Sequence, residues 1–82
     1  MPNPIDLHLG RRVRARRREL RLSLEALAAQ LGVGFQQVQK YETGNNRMSA
    51  HILWQIATAL QVRVDYFFHD LPKARSGEGE GT

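Results

Sequence analysis

Residues 22–44 read LSLEALAAQLGVGFQQVQKYETG, two short helical runs around a glycine-containing turn. Ser23 is a natural helix cap, because its hydroxyl can accept an unpaired N–H of the first turn, and Glu25 stands where the positive end of a helix favours an acid. Leu24, Leu27, Ala28 and Leu31 recur at helical spacing. Ala26, Ala28 and Ala29 are strong helix formers and small enough for a close helix contact. Gly32 can take the left-handed conformation that ends a helix, so this run spans about Leu24 to Leu31. Past Val33 and Gly34 a second helix opens at Phe35 and stops at Gly44. Val38 and Tyr41 lie three apart and share its inner face, while Gln36, Gln39 and Lys40 fall on other faces.

Working toward the N-terminus, Pro2 and Pro4 make residues 1–4 an extended arm. Ile5, Leu9, Val13 and Leu20 follow a helical step, with Arg16 or Arg17 where the next apolar residue would fall. The spacing predicts a helix from about Asp6 to Glu19 or Leu20, with Asp6 as a first-turn acid. Toward the C-terminus, Asn45, Asn46, Arg47 and Met48 form a polar loop. Ser49 caps a further helix whose apolar stripe is Ile52, Leu53, Ile56, Ala57 and Leu60. Val62 and Val64 lead into Asp65-Tyr66-Phe67-Phe68, a last helical turn or short fifth helix that Pro72 blocks. No apolar residue follows Ala74, so residues 71–82 read as a disordered tail. The expected organisation is the arm at 1–4, one domain at 5–70 and the tail. No strand pattern or internal repeat is visible.

A chain of 82 residues has room for one domain, and with no cysteine it has no disulfide framework and no thiolate metal site. There is no apolar run near the ~20 residues of a membrane span. The start, MPNPIDLHLG, lacks the basic segment and apolar run of a signal peptide, which makes the cytoplasm the default compartment. His8, His51 and His69 have no mutual spacing suited to a metal and read as surface residues. No nucleophile, oxyanion glycine pattern or phosphate-cradling loop is present, and an enzyme is not expected. The charge is polarised. Between positions 11 and 21 stand seven arginines and one acid, Glu19, giving +6 and leaving −2 for the rest of a chain of net charge +4. Such a protein expects a polyanion, nucleic acid before an anionic membrane. The membrane reading fails because Arg11–Arg21 lacks the Trp/Phe/Leu face of an interfacial helix.

Taken with LGRRVRARR before it and IATALQVRVDYFF after it, the 22–44 stretch resembles the helix-turn-helix of the phage repressor and Cro-like family, also called the xenobiotic-response-element (XRE) family. The resemblance runs from about Leu9 to Phe68. It implies an all-α, compact five-helix bundle of the lambda-repressor-like type. It also implies a DNA-binding domain, usually of a transcriptional regulator and often a dimer, and the expected function is a homodimer that binds double-stranded DNA at an inverted-repeat operator without a cofactor. In that frame Leu27, Ala28, Leu31, Val33, Val38 and Tyr41 are inner positions. Gln36, Gln39 and Lys40 point outward, where Gln can pair with adenine and Lys with guanine in the major groove. Phe35 is either a core anchor or an apolar contact to a thymine methyl. Arg11, Arg14, Arg18, Asn45 and Arg47 are the phosphate candidates. Arg17 lies four after Val13 and three before Leu20, on the inward side, and the resemblance pairs it with Glu42. Trp54, Val64, Tyr66, Phe67 and Phe68 are the candidate two-fold contact.

The sequence departs from the family pattern at four places. Leu24 stands where the family has a Gln that touches DNA, and Gly34 where it has a Ser or Thr cap. Arg21 and Gln61 stand where a Gly often follows a helix, so those ends either avoid the left-handed conformation or accept strain. Two neighbouring readings share the fold: an antitoxin with a protein partner, and an adaptor that bridges proteins.

Overall fold

The computed structural model describes residues 2–71. Among them are four α-helices, α1 (Pro4–Glu19), α2 (Leu24–Leu31), α3 (Phe35–Glu42) and α4 (Ala50–Ala59), followed by a 3₁₀ helix at Val64–Phe68, and no strand. The fifth helix of the expected bundle is thus a 3₁₀ segment. Of the tail expected at 71–82, residues 72–82 lie outside the described residues, while Leu71 packs against the core and so belongs to the fold.

Helix α1 starts earlier than the two prolines suggest. Asn3 is the cap, its Oδ1 accepting from the Ile5 N–H at 2.8 Å, and Pro4 occupies the first helical position. There its missing N–H costs nothing and its fixed φ suits the helix, so the extended arm stops before Pro4. Ser23 accepts from the Ala26 N–H and Ser49 from the Ile52 N–H, capping α2 and α4. Gly34 opens α3 with no side-chain cap bond.

All four α-helices close in the same way. Directly after the end of α2, and two residues past the ends of α1, α3 and α4, a residue takes a left-handed conformation: Gly32 (φ +73°), Arg21 (+58°), Gly44 (+79°) and Gln61 (+60°). This folds that residue's own amide and the next one back onto the last turn, as when the Gly32 and Val33 N–H groups reach the carbonyls of Ala29 and Ala28. Arg21 and Gln61 therefore adopt the strained conformation rather than avoid it.

The core takes Leu9 and Val13 from α1, Leu27, Ala28 and Leu31 from α2, Val38 and Tyr41 from α3, and Leu53, Ile56 and Ala57 from α4. Met48, Leu60 and Phe67 complete it. Gly10 brings α1 and α3 together. A Cβ there would overlap the Tyr41 carbonyl oxygen and lie 2.6 Å from that of Glu42. Only a residue without a side chain allows the backbones this close.

Candidate nucleic-acid interface

The Gly32-Val33-Gly34 turn sets α3 across α2, and the 3.6-residue period of α3 does the rest. Val38, Tyr41 and Glu42 face inward and are buried, while Phe35, Gln36, Gln39 and Lys40 are exposed. Phe35 is therefore not a core anchor, and at 40% exposure it keeps part of its surface open to solvent at the start of α3. Gln36 and Lys40 are four apart and project from one face, clear of the Val38/Tyr41 side.

Helix α1 divides its arginines by face. Arg11, Arg14 and Arg18, at steps of three and four, form one exposed stripe, and their side chains make no hydrogen bond among the described residues. Arg14 extends toward α3, since it lines a pocket together with Gln39, Thr43, Leu24 and the Arg17–Glu42 pair. Arg17 forms a fork onto Glu42, Nε to Oε2 at 2.6 Å and Nη2 to Oε1 at 3.1 Å, and its Nη1 donates to the Leu22 carbonyl at 2.8 Å. Their side chains are only 11% and 5% exposed. That pair locks α1 to the C-terminal end of α3.

Arg12 and Arg16 have structural partners that the sequence does not reveal. Arg12 donates from Nε and Nη2 to the Tyr66 carbonyl and stacks over the Tyr66 ring, 4.1 Å from its centroid. Arg16 donates to the Leu60 carbonyl at the end of α4, where the helix dipole favours a cation, and pairs with Glu19. Gly10 was equally unmarked as a contact point. Its only signal is a glycine inside a helical run where no turn or cap calls for one.

In the loop after α3, Asn45 and Arg47 are exposed, and the Arg47 Nε lies 3.2 Å from both Asp6 carboxylate oxygens. Of the residues expected at a two-fold contact, Trp54 and Phe68 are exposed and Val64 and Tyr66 half-buried. Phe67 must be removed from that set. It is wholly buried, because the 3₁₀ turn points it into the core with its ring edge-on to Tyr66. No helix among the described residues is long and apolar enough to cross a membrane.

Comparison with known proteins meets this geometry at several levels. A helix-turn-helix family model matches residues 13–67. An uncharacterized HTH-type transcriptional regulator of Sinorhizobium medicae is 50% identical over 80 residues, which are 98% of this chain and 58% of that protein. The chain thus spans little more than half the length of that relative. The restriction-modification controller protein C.AhdI from Aeromonas hydrophila has a similar structure, with a TM-score of 0.72 at 31% identity over 76% of this chain and 94% of that one. The P22 c2 repressor protein, solved in complex with synthetic operator 9T, gives a TM-score of 0.68 at 30% identity over 72% of this chain and 89% of that one. With the turn, the outward row on α3 and the match from 13 to 67 agreeing, the chain belongs to the XRE-like helix-turn-helix family and has the lambda-repressor-like fold.

Proposed function

We propose that the chain is a sequence-specific DNA-binding transcriptional regulator, a repressor, that reads the major groove of an inverted-repeat operator as a homodimer. The observation that carries this is the polar row Gln36, Gln39 and Lys40 on an exposed helix, flanked by the arginine stripe of α1. Gln36 and Lys40 read base edges, with Phe35 beside them for a thymine methyl. Gln39, next to Arg14, reaches a neighbouring base or the backbone. Arg11, Arg14, Arg18, Asn45 and Arg47 hold phosphates and so fix the register without carrying sequence information. The two-fold contact uses the exposed Trp54 and Phe68 with the edges of Val64 and Tyr66, which sets the recognition helices about 34 Å apart, one turn of DNA. The solved complex of the P22 c2 repressor with its operator supports the reading by likeness.

The test is a binding selection from random duplex DNA with the parent, Gln36→Ala and Arg47→Ala. Gln36→Ala is expected to relax preference at one base pair per half-site, by about 1–3 kcal/mol. Arg47→Ala is expected to weaken all sequences alike. An altered base preference in Arg47→Ala, with only a uniform loss in Gln36→Ala, would show the two roles exchanged. A protein that selects no sequence at all would instead favour the adaptor or antitoxin reading, in which the exposed Trp54 faces a protein partner.

A further inference from the structure

The link between Asp6 and Arg47 joins the first turn of α1 to the loop that follows α3, and the two partners are buried to very different extents. The Asp6 side chain is 12% exposed, whereas that of Arg47 is 72% exposed. Both Asp6 oxygens lie 3.2 Å from the same atom, the Arg47 Nε. Arginine has five N–H donors in a rigid planar fork. Here one is held by the carboxylate, and the four on the Nη atoms have no partner among the described residues. The Asp6 carboxylate in turn has no other hydrogen-bond partner among the described residues. It sits near the N-terminus of α1, where the helix dipole offsets part of its negative charge.

From this we infer that Asp6 is a positioning residue for DNA binding. It grips the Arg47 fork by its inner edge and presents the outer edge, both Nη groups, to a phosphate. The inference rests on the reading of Arg47 as a phosphate contact and adds a residue that touches no DNA. An exposed arginine must otherwise give up its rotamer freedom when it binds. An arginine already held by Asp6 has lost much of that freedom beforehand, and its planar fork is aimed for a bidentate contact. The carboxylate also repels the incoming phosphate, so the sign of the Asp6→Asn effect decides between positioning and competition.

The experiment measures affinity for a selected operator duplex, and its salt dependence, for the full chain and five variants: Asp6→Asn, Arg47→Ala, Arg47→Lys and the two double variants that combine Asp6→Asn with each Arg47 change. Asp6→Asn is expected to bind about fivefold more weakly than the parent, with a log–log salt slope shallower by up to about one unit per protomer as a phosphate contact is lost. Arg47→Lys keeps the charge but has no Nε donor, and it is expected to lose affinity as well, at least about threefold. In both Arg47 backgrounds Asp6→Asn should change nothing further, because residues that act as a unit do not add. Equal or tighter binding by Asp6→Asn overturns the inference, and so does parent-like binding by Arg47→Lys. A loss on Asp6→Asn that persists in the Arg47→Ala background also overturns it, by showing a role in the fold alone. If Arg47→Ala itself binds like the parent, the phosphate reading of Arg47 fails and the positioning role fails with it. A loss in Arg47→Ala with none in Asp6→Asn sinks the positioning role alone.

Discussion

Glu42 is the buried charged residue on which the placement of α3 depends. Its two oxygens take the Arg17 fork, and the remaining Arg17 donor satisfies the Leu22 carbonyl. Removing the acid leaves a guanidinium that is nine-tenths buried without its counter-charge. Glu42→Ala is therefore expected to lose about 3 kcal/mol or more of stability, read as a lowered midpoint in urea or heat. Melting like the parent would show that solvent reaches the site and compensates. The inward phase of Arg17 is legible in the sequence because its neighbours Val13 and Leu20 fix the face. The roles of Arg12 and Arg16 are not legible. Their acceptors are backbone carbonyls 54 and 44 residues away, and a carbonyl leaves no trace in residue type. Gly10 is opaque for a related reason, since what it admits is the backbone of another helix. Phe67 and Phe68 illustrate the limit of composition: adjacent and chemically identical, they differ only in the direction given by a 3₁₀ turn.

At the scale of the element, the helix ends separate into those that chemistry announces and those that it does not. Ser23, Gly32, Gly44 and Ser49 can be read directly, because each is a residue type suited to a cap or a left-handed stop. Pro4 has two meanings, a breaker inside a helix and a favoured first residue, and the second wins once Asn3 supplies the cap. Arg21 and Gln61 do the work of glycine without being glycine. A left-handed conformation costs a residue with a Cβ roughly 1–2 kcal/mol. Glycine would remove that cost but would add roughly 0.5–1 kcal/mol of backbone entropy to be lost on folding. Gln61 is exposed, and its side chain makes no hydrogen bond among the described residues. Gln61→Gly is thus expected to stabilise the fold by about 0.5–1 kcal/mol, measured by urea unfolding, with DNA affinity unchanged. A lower midpoint would mean that the closure at the end of α4 is unstrained.

For the whole molecule, the +6 stretch overstates what is available to a polyanion. Arg12 and Arg16 are held on carbonyls and Arg17 is neutralised by Glu42, which leaves Arg11, Arg14, Arg18 and Arg21 exposed. With Lys40 and Arg47 in each protomer, a dimer that neutralises about 6–8 phosphates gives a log–log salt slope of about −5 to −7 on duplex DNA. Titration at several salt concentrations measures the slope, and sedimentation at micromolar concentration measures the assembly. A flat salt response would remove the electrostatic part of the proposed function, and a monomer with and without DNA would remove the dimer. The sequence makes the surplus of charge plain but not its division, because periodicity gives a residue's face and not its partner. That division gives α1 a mechanical role. One edge of the helix grips the carbonyls of Tyr66 and Leu60, beside the proposed two-fold contact, and another edge carries the exposed arginines proposed to hold phosphates. In the proposed dimer, α1 is a beam clamped at the joint and loaded at the DNA. How much variation in half-site spacing the protein tolerates is then a question of that beam's stiffness, set by Arg12 and Arg16, which in this arrangement need touch neither DNA nor the second copy.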